Sequence, residues 1–247
     1  MIAGRSLGAL ASVAAGLLGA GCGPIAHIPA AAITVPGALA DTDSAARLAR
    51  TLAPVLYLQP DEWFRLERVV AVVHPERRII AYHFLWRDDV HGAWLPFTIP
   101  TDQEIGWVGY DERGEVTELW SYWHRSVLHT EWRGRPEIAF DVQWGKHGTM
   151  PRGTRQHTLP FDRSLGVFYV LTWLGLPDIW LSRAQRDGPS CFCHGFGRYR
   201  VFSRALPLAG RIDVVVKTAD PSDALRRVFG DTYSRKINWP EQTPTVP

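Results

Sequence analysis

Two apolar runs dominate the first third of the chain, RLERVVAVVH (65–74) and RRIIAYHFLW (77–86), with only Pro75 and Glu76 between them. Val, Ile, Tyr, Phe and Trp at this density suit a pleated surface, and Pro-Glu interrupts them as a turn does, so the pair predicts a β-hairpin. EIGWVGYD (104–111) and EVTELWSYWH (115–124) repeat the pattern around Glu112, Arg113 and Gly114, with Gly114 free to take a positive φ. EIAFDVQWG (137–145) is a fifth strand candidate; GRYRVFSR (197–204) and RIDVVVK (211–217) are two more.

Helical periodicity is confined to the flanks. Ala45, Leu48, Ala49, Leu52 and Ala53 recur on one helical face behind Asp43 or Ser44 as cap, and Pro54 ends the run. DPSDALRRVFG (220–230) has Asp220 as cap, Pro221 in the first turn and Gly230 as stop. Seven short strands with two helices at the edges predict an all-β fold, a β-sandwich of short antiparallel strands with peripheral helices. Eleven Trp spread from Trp63 to Trp239 suit the half-buried positions of such sheets. A formal net charge of +2 without a lysine/arginine block argues against a nucleic-acid partner.

The first 21 residues have the build of a signal peptide: Arg5, an apolar run from Leu7 to Leu18, then small residues. LLGAGC (17–22) resembles a bacterial lipobox, which makes Cys22 the expected site of acylation (palmitate among the acyl groups) and a membrane-anchored location in the cell envelope the expectation. Ordinary secretion, with cleavage near Ala20, is the alternative. Residues 22–40, rich in Ala and Pro, read as a tether, and 41–247 as a single β-sandwich domain. SLGVFYVLTWLGLPDIWL (164–181) is apolar nearly throughout but short for a membrane span. It reads as buried core or, alternatively, as a loop that dips into lipid.

The chemistry concentrates around IPTDQE (99–104). In an extended segment Asp102 and Glu104 point to one face, and two carboxylates side by side call for a positive partner. Asp88 and Asp89 close the preceding aromatic run, His124 ends SYWH, and His147 follows a strand end in QWGKHG. Such a set suits a hard or intermediate divalent cation, Ca, Mg or Mn, with Asp88, Asp102, Glu104 and His147 as ligands and Asp89 or His124 as a further ligand. Ion pairing to Arg87, Arg125 or Lys146 is the competing account, because these bases adjoin the same acids.

In order along the chain, LAPVLYLQPDE (52–62), YHFLWRDD (82–89), TDQE (101–104), SYWH (121–124) and WGKHG (144–148) resemble the vacuolar protein sorting-associated protein 62 family. More distantly they resemble the necrosis- and ethylene-inducing-peptide-like proteins. The resemblance spans roughly 100 residues and implies a β-sandwich. In the necrosis-inducing branch it further implies an acidic rim that binds a divalent cation, with binding to a sphingolipid head group leading to membrane damage. By position Asp88 matches the acid after the aromatic strand, and Asp102 and Glu104 match the D-x-E carboxylates. The chain departs from the necrosis-inducing pattern where that has histidines, here Ile99 and Thr101, and a Trp, here Gln103.

Cys191 and Cys193 in SCFCHGFG lie too close for an easy bridge and, with His194, do not close a tetrahedral metal site. No nucleophile elbow, P-loop or dinucleotide fingerprint occurs. The expected function is binding of a surface ligand, a glycan or lipid head group, through a cation on the rim. The alternatives are a metal-dependent hydrolase with His124 as general base toward a phosphate or glycan ester, and a structural envelope lipoprotein whose acids form ion pairs only.

Overall fold

A computed structural model describes residues 34–60, 62, 64–87, 102–155, 158–160 and 202–242. Cys22, Asp88, Asp89, Cys191, Cys193, the signal-peptide and lipobox segment and the apolar stretch 164–181 lie outside the described residues. The described elements run α1 Ser44–Thr51, β1 Val55–Leu58, β2 Leu66–Val73, β3 Ile79–Trp86, β4 Asp102–Tyr110, β5 Val116–Trp123, β6 Ser126–Glu131, β7 Ala139–Val142, β8 Thr149–Pro151, β9 Arg204–Pro207, β10 Val214–Lys217 and α2 Ser222–Phe229. Short 3-10 turns follow at Gly230–Thr232 and Pro240–Gln242.

The strands form two packed sheets. One has the order β10-β2-β3-β4-β5-β6, the other β8-β7-β1-β9. Neighbours are mostly antiparallel, as expected for the sandwich, while β1 pairs with β7 and β2 with β10 in parallel. A parallel neighbour has to return by a long crossover, which local sequence patterns do not announce.

Both predicted hairpins form, each held by a side chain that caps its own turn. His74 Nδ1 accepts the backbone N–H groups of Glu76 and Arg77 between β2 and β3. Asp111 Oδ1 accepts those of Arg113 and Glu115 between β4 and β5, where Gly114 has φ 79°. Asp43 caps α1 as expected, accepting from the N–H of Ala45 at 2.7 Å. At α2, Asp220 accepts from the Ser222 N–H, and Gly230 ends the helix at φ 60°.

The strands absent from the sequence expectation are β1, β6, β8 and β9 beyond Arg204; residues 197–201 of the GRYRVFSR candidate lie outside the described residues. β1 has four residues close to Pro54 and Pro60, β8 has three, and β6 is an edge strand with a half-exposed, mixed pattern.

Alternation along β3 sets the layers. Ile80, Tyr82, Phe84 and Trp86 face the small sheet, packing with Leu56, Val108, Leu119, Phe140 and Val142. Ile79, Ala81 and Leu85, with Trp107 of β4, face the opposite layer, where Val228, Phe229 and Trp239 cover the large sheet. Coverage on both faces explains why β3 reads as a continuous apolar run. The sheets approach closely at Gly106, where an added Cβ would lie 2.9 Å from the Phe140 ring. Before α1, Val35 is buried and Leu39 donates to the Val215 carbonyl, so part of the Ala/Pro-rich stretch lies against β10.

Candidate functional site

Register decides where the two acids stand. Asp102 lies opposite Trp86 and Glu104 opposite Phe84, so both share the face of β4 that meets the small sheet. β4 pairs with β5 only from Gly106 onward, leaving Asp102, Gln103, Glu104 and Ile105 with β3 as strand neighbour. Thr149 of β8 fills part of the opening by donating its hydroxyl to the Ile105 carbonyl at 3.1 Å.

The loop 143–148 joins β7 to β8 and delivers His147 into this end of the sandwich. Its closure is local: His147 N–H donates to the Gln143 carbonyl and Gln143 N–H to the Gly148 carbonyl. Gly148 permits the fit, because a Cβ there would meet the Trp123 ring at 2.9 Å. His147 is fully buried, stacked on Trp86 with ring centroids 4.3 Å apart and met edge-on by Phe64 at 5.3 Å.

Two carboxylates flank that imidazole. Nδ1 lies 3.0 Å from Asp102 Oδ2, and Nε2 lies 3.7 Å from Glu62 Oε1. Glu62 is itself fixed, accepting from the Phe64 N–H through Oε1 and the Gly145 N–H through Oε2. Burial alone would lower the His147 pKa, but the charge of Glu62 and the hydrogen bond to Asp102 outweigh it and raise it to about 9. His147 is therefore an imidazolium at neutral pH, and Nδ1–H donates to Asp102. Burial alone would likewise raise Asp102; the His147 hydrogen bond and the charge of Lys236 bring it below the usual carboxylate value.

Glu104 meets a different cation. Lys236 Nζ lies 2.8 Å from Glu104 Oε1 and 5.3 Å from the centroid of the Tyr122 ring. Burial pushes the Glu104 carboxyl up to about 8 against the pull of Lys236. Burial would lower the Lys236 ammonium, yet Glu104 first and then Asp102 hold it above its ordinary value. The positive partners of the two acids are therefore His147 and Lys236, while Lys146 acts on Asp102 at longer range.

His124 stands at the edge of this cluster. With Arg125 it forms the two-residue loop between β5 and β6, both at positive φ (41° and 73°), as in a type I′ turn. Its Nε2 is 2.6 Å from Gln143 Oε1. Burial lowers its pKa, so the ring is neutral and Nε2–H donates to Gln143. Among the described residues the non-glycine positions at positive φ are His124, Arg125 and His147, all at this end of the molecule. Backbone strain of this kind persists where surrounding structure holds it in place.

The structure thus brings together Asp102, Glu104 and His147 from the expected set, with His124 beside them. Sequence reasoning missed Glu62 and Lys236. Glu62 ends the quoted LAPVLYLQPDE segment, where nothing local marks it as a partner for His147. Lys236 sits alone in TYSRKINWP, 132 positions from its partner, and carries no local signal.

The donor chemistry suits a hard cation only at one atom: Glu104 Oε2 is buried without a hydrogen-bond partner, and a carboxylate oxygen suits calcium, magnesium or manganese, whereas the protonated His147 ring has no lone pair to offer. As arranged, no three His, Cys, Asp or Glu side chains among the described residues converge as an ion-holding group. His147 backs Asp102 through Nδ1 instead of standing beside it as a donor, and Lys236 occupies the side of Glu104. Among the described residues no helix is long and apolar enough to cross a membrane.

No protein-family model matches this sequence, and no curated protein matches it. Several solved structures are similar in part. NLPPya in complex with mannosamine is 15% identical with TM-score 0.34, covering 50% of this chain and 75% of that one. A structure titled "Toxin fold for microbial attack and plant defense" is 15% identical with TM-score 0.33, covering 51% and 76%. Necrosis and Ethylene inducing Protein 2 from the causal agent of cocoa's Witches Broom disease is 9% identical with TM-score 0.32, covering 50% and 77%. The assignment of a β-sandwich rests on the two packed sheets themselves.

Proposed function

We propose that this chain is a secreted envelope protein, anchored through an acylated Cys22, that binds a polar surface ligand at the Asp102–Glu104 end of its sandwich. The ligand is a glycan or a lipid head group, and a divalent cation bridges it to the protein. Asp102 and Glu104, together with Asp88, supply the oxygens; His147 orients Asp102 by hydrogen bonding its second oxygen, as outer partners of metal-bound carboxylates do. The cation when bound would supply a positive charge that hydroxyl or phosphate oxygens can share.

The observation that carries this reading is that the two acids on one face of β4 each hold a buried cation, Glu104 the Lys236 ammonium at 2.8 Å and Asp102 the His147 ring at 3.0 Å. This end of the sandwich is built to compensate positive charge. The order of motifs resembling the protein 62 family supports the same reading independently of the geometry.

The test is the melting temperature of the mature domain, with chelator and with excess calcium or manganese. Binding to the folded state alone stabilises it by about 2.7 kcal/mol at a hundredfold excess over the dissociation constant. A metal-dependent rise in the wild type that is lost in Asp102→Asn is the expected outcome; no rise under any metal removes the cation from the reading. The anchor is tested separately by Cys22→Ser, which should move the protein from the membrane to the soluble fraction.

A further inference from the structure

Trp120 and Tyr122 of β5 share the outer face of the large sheet, roughly 7 Å apart along the strand. Among the described tryptophans Trp120 alone keeps part of its surface in solvent. Its ring is held in place: His129 of β6 lies nearly parallel to it at 5.0 Å, and a Cβ at Gly109 would come within 2.8 Å of it. Tyr122, also partly exposed, lines an open groove of about 500 Å³ together with Arg235, Lys236, Ile237 and Asn238. The segment that carries these last four residues is fixed to the sheet. Ser234 N–H donates to Gln103 Oε1 at 3.1 Å, the Lys236 ammonium lies 2.8 Å from Glu104 Oε1, and Trp107 Nε1 donates to the Asn238 carbonyl at 2.9 Å. The lining holds two cations and no carboxylate. Glu104 takes up the charge of Lys236. Arg235 is exposed, forms no hydrogen bond or ion pair with a described residue, and acts on Asp220 through its charge alone.

We propose that this groove binds an acidic sugar, a hexuronate residue of a glycan, with its carboxylate on Arg235 and its ring against Tyr122. The proposal goes beyond the cation reading above, because the groove lies on the outer side of the large sheet and needs no divalent ion. With Lys236 already neutralised, the lining offers a ligand one uncompensated positive charge, which one carboxylate matches. The guanidinium presents paired donors in a plane, the geometry that two carboxylate oxygens accept. Small-molecule sites combine apolar and aromatic lining with a few placed polar groups. Here Tyr122 and Ile237 supply the first and Arg235 and Asn238 the second. The Tyr122 ring gives apolar surface to the C–H face of a pyranose, and its hydroxyl can donate to or accept from sugar hydroxyls. Because the segment is fixed at Ser234, Lys236 and Asn238, little backbone ordering opposes binding. Trp120, one step along the same face, extends the aromatic surface toward a neighbouring sugar unit.

Titration of glucuronate, glucose and inorganic phosphate into the full chain at pH 7, with chelator present throughout and binding read by NMR shifts, tests this. Glucuronate should bind about tenfold more tightly than glucose, the size expected for one charge-assisted hydrogen-bonded contact. Arg235→Gln, a change at an exposed position, should remove that difference by weakening glucuronate alone. Tyr122→Leu should weaken both sugars. Phosphate binding as tightly as glucuronate, or glucuronate affinity unchanged in Tyr122→Leu, would show that Arg235 attracts an adventitious ion only and would overturn the sugar site. No binding of glucuronate, or equal binding by wild type and Arg235→Gln, overturns it too. Since chelator is present in every titration, each of these outcomes leaves the metal-dependent melting test of the Asp102–Glu104 end to be decided by itself.

Discussion

His83 and His147 are both enclosed, 1% and 0% exposed, but they lie in different regions, and His83 is neutral where His147 is cationic. His83 faces the outer layer of the large sheet, where neither ring nitrogen has a hydrogen-bond partner. Burial first, and then the charge of Lys236, push its pKa down to about 3. His147 lies at the polar end of the inter-sheet layer, where Glu62 and Asp102 raise its pKa to about 9. Burial disfavours charge in both places; the carboxylates reverse the outcome in one of them. The outer layer behaves as a core, and the inter-sheet end as a charged lattice that depends on each member.

The largest effect that separates the two regions comes from His147→Gln. It leaves Asp102 and Glu62 buried without their shared cation, and breaking a buried pair in this way costs about 3–5 kcal/mol. Chemical denaturation at pH 6 should show that loss, and it should shrink as pH rises through about 9, because wild type itself then gives up the imidazolium proton. A pH-independent loss would make His147 a packing residue only.

Asp102→Asn should cost about 2–3 kcal/mol in chelator, since one carboxylate still faces His147. Relief of repulsion between Asp102 and Glu104 would have the opposite sign, and an unchanged or raised melting temperature would show that repulsion outweighs the His147 contact.

The pH dependence of wild type in chelator follows from the signs. His147 is raised from 6.5 to about 9, so its contribution is complete below 6.5 and is lost as pH rises toward 9. Glu104, raised from 4.5 to about 8, contributes most below 4.5 and loses this as pH rises through 8. Stability should therefore fall between pH 6.5 and 9, by roughly 2–4 kcal/mol. His83, lowered from 6.5 to about 3, has the reverse slope: its neutral form is stable above 6.5 and is penalised as pH falls toward 3. Between 4.5 and 6.5 the slopes of His83 and Glu104 offset each other.

The smallest effect is expected from His83→Leu, within about 1 kcal/mol of wild type at pH 7, because an apolar side chain replaces two unpaired nitrogens. Its diagnostic is on the acid side, where the variant should lose less stability than wild type below pH 6.5. A loss of several kcal/mol at pH 7 would mean that His83 is engaged as His147 is.

Much of the fold was legible because it is built from local patterns. The runs 65–74, 77–86, 104–111 and 115–124 contain the strands β2 to β5 nearly residue for residue, and Asp43 and Gly230 bound the helices where expected. The shared face of Asp102 and Glu104 was legible for the same reason: it follows from the period of a strand. The similarity of chemistry at Asp102, Glu104 and His147 could be anticipated, but not the way they are paired.

The sequence by itself determined strand character, turn positions and the carboxylate pair, since each depends on neighbours a few residues away. Tertiary structure alone decided which charges meet. Asp102 meets His147 across 45 positions, Glu62 receives the Gly145 N–H across 83, and Glu104 takes Lys236 across 132. The parallel pairing of β2 with β10 was likewise decided only by the fold. Such contacts leave no local trace because a lone Lys or Glu has the same character in water wherever it stands. Its role appears only when packing removes the water and leaves one partner within reach.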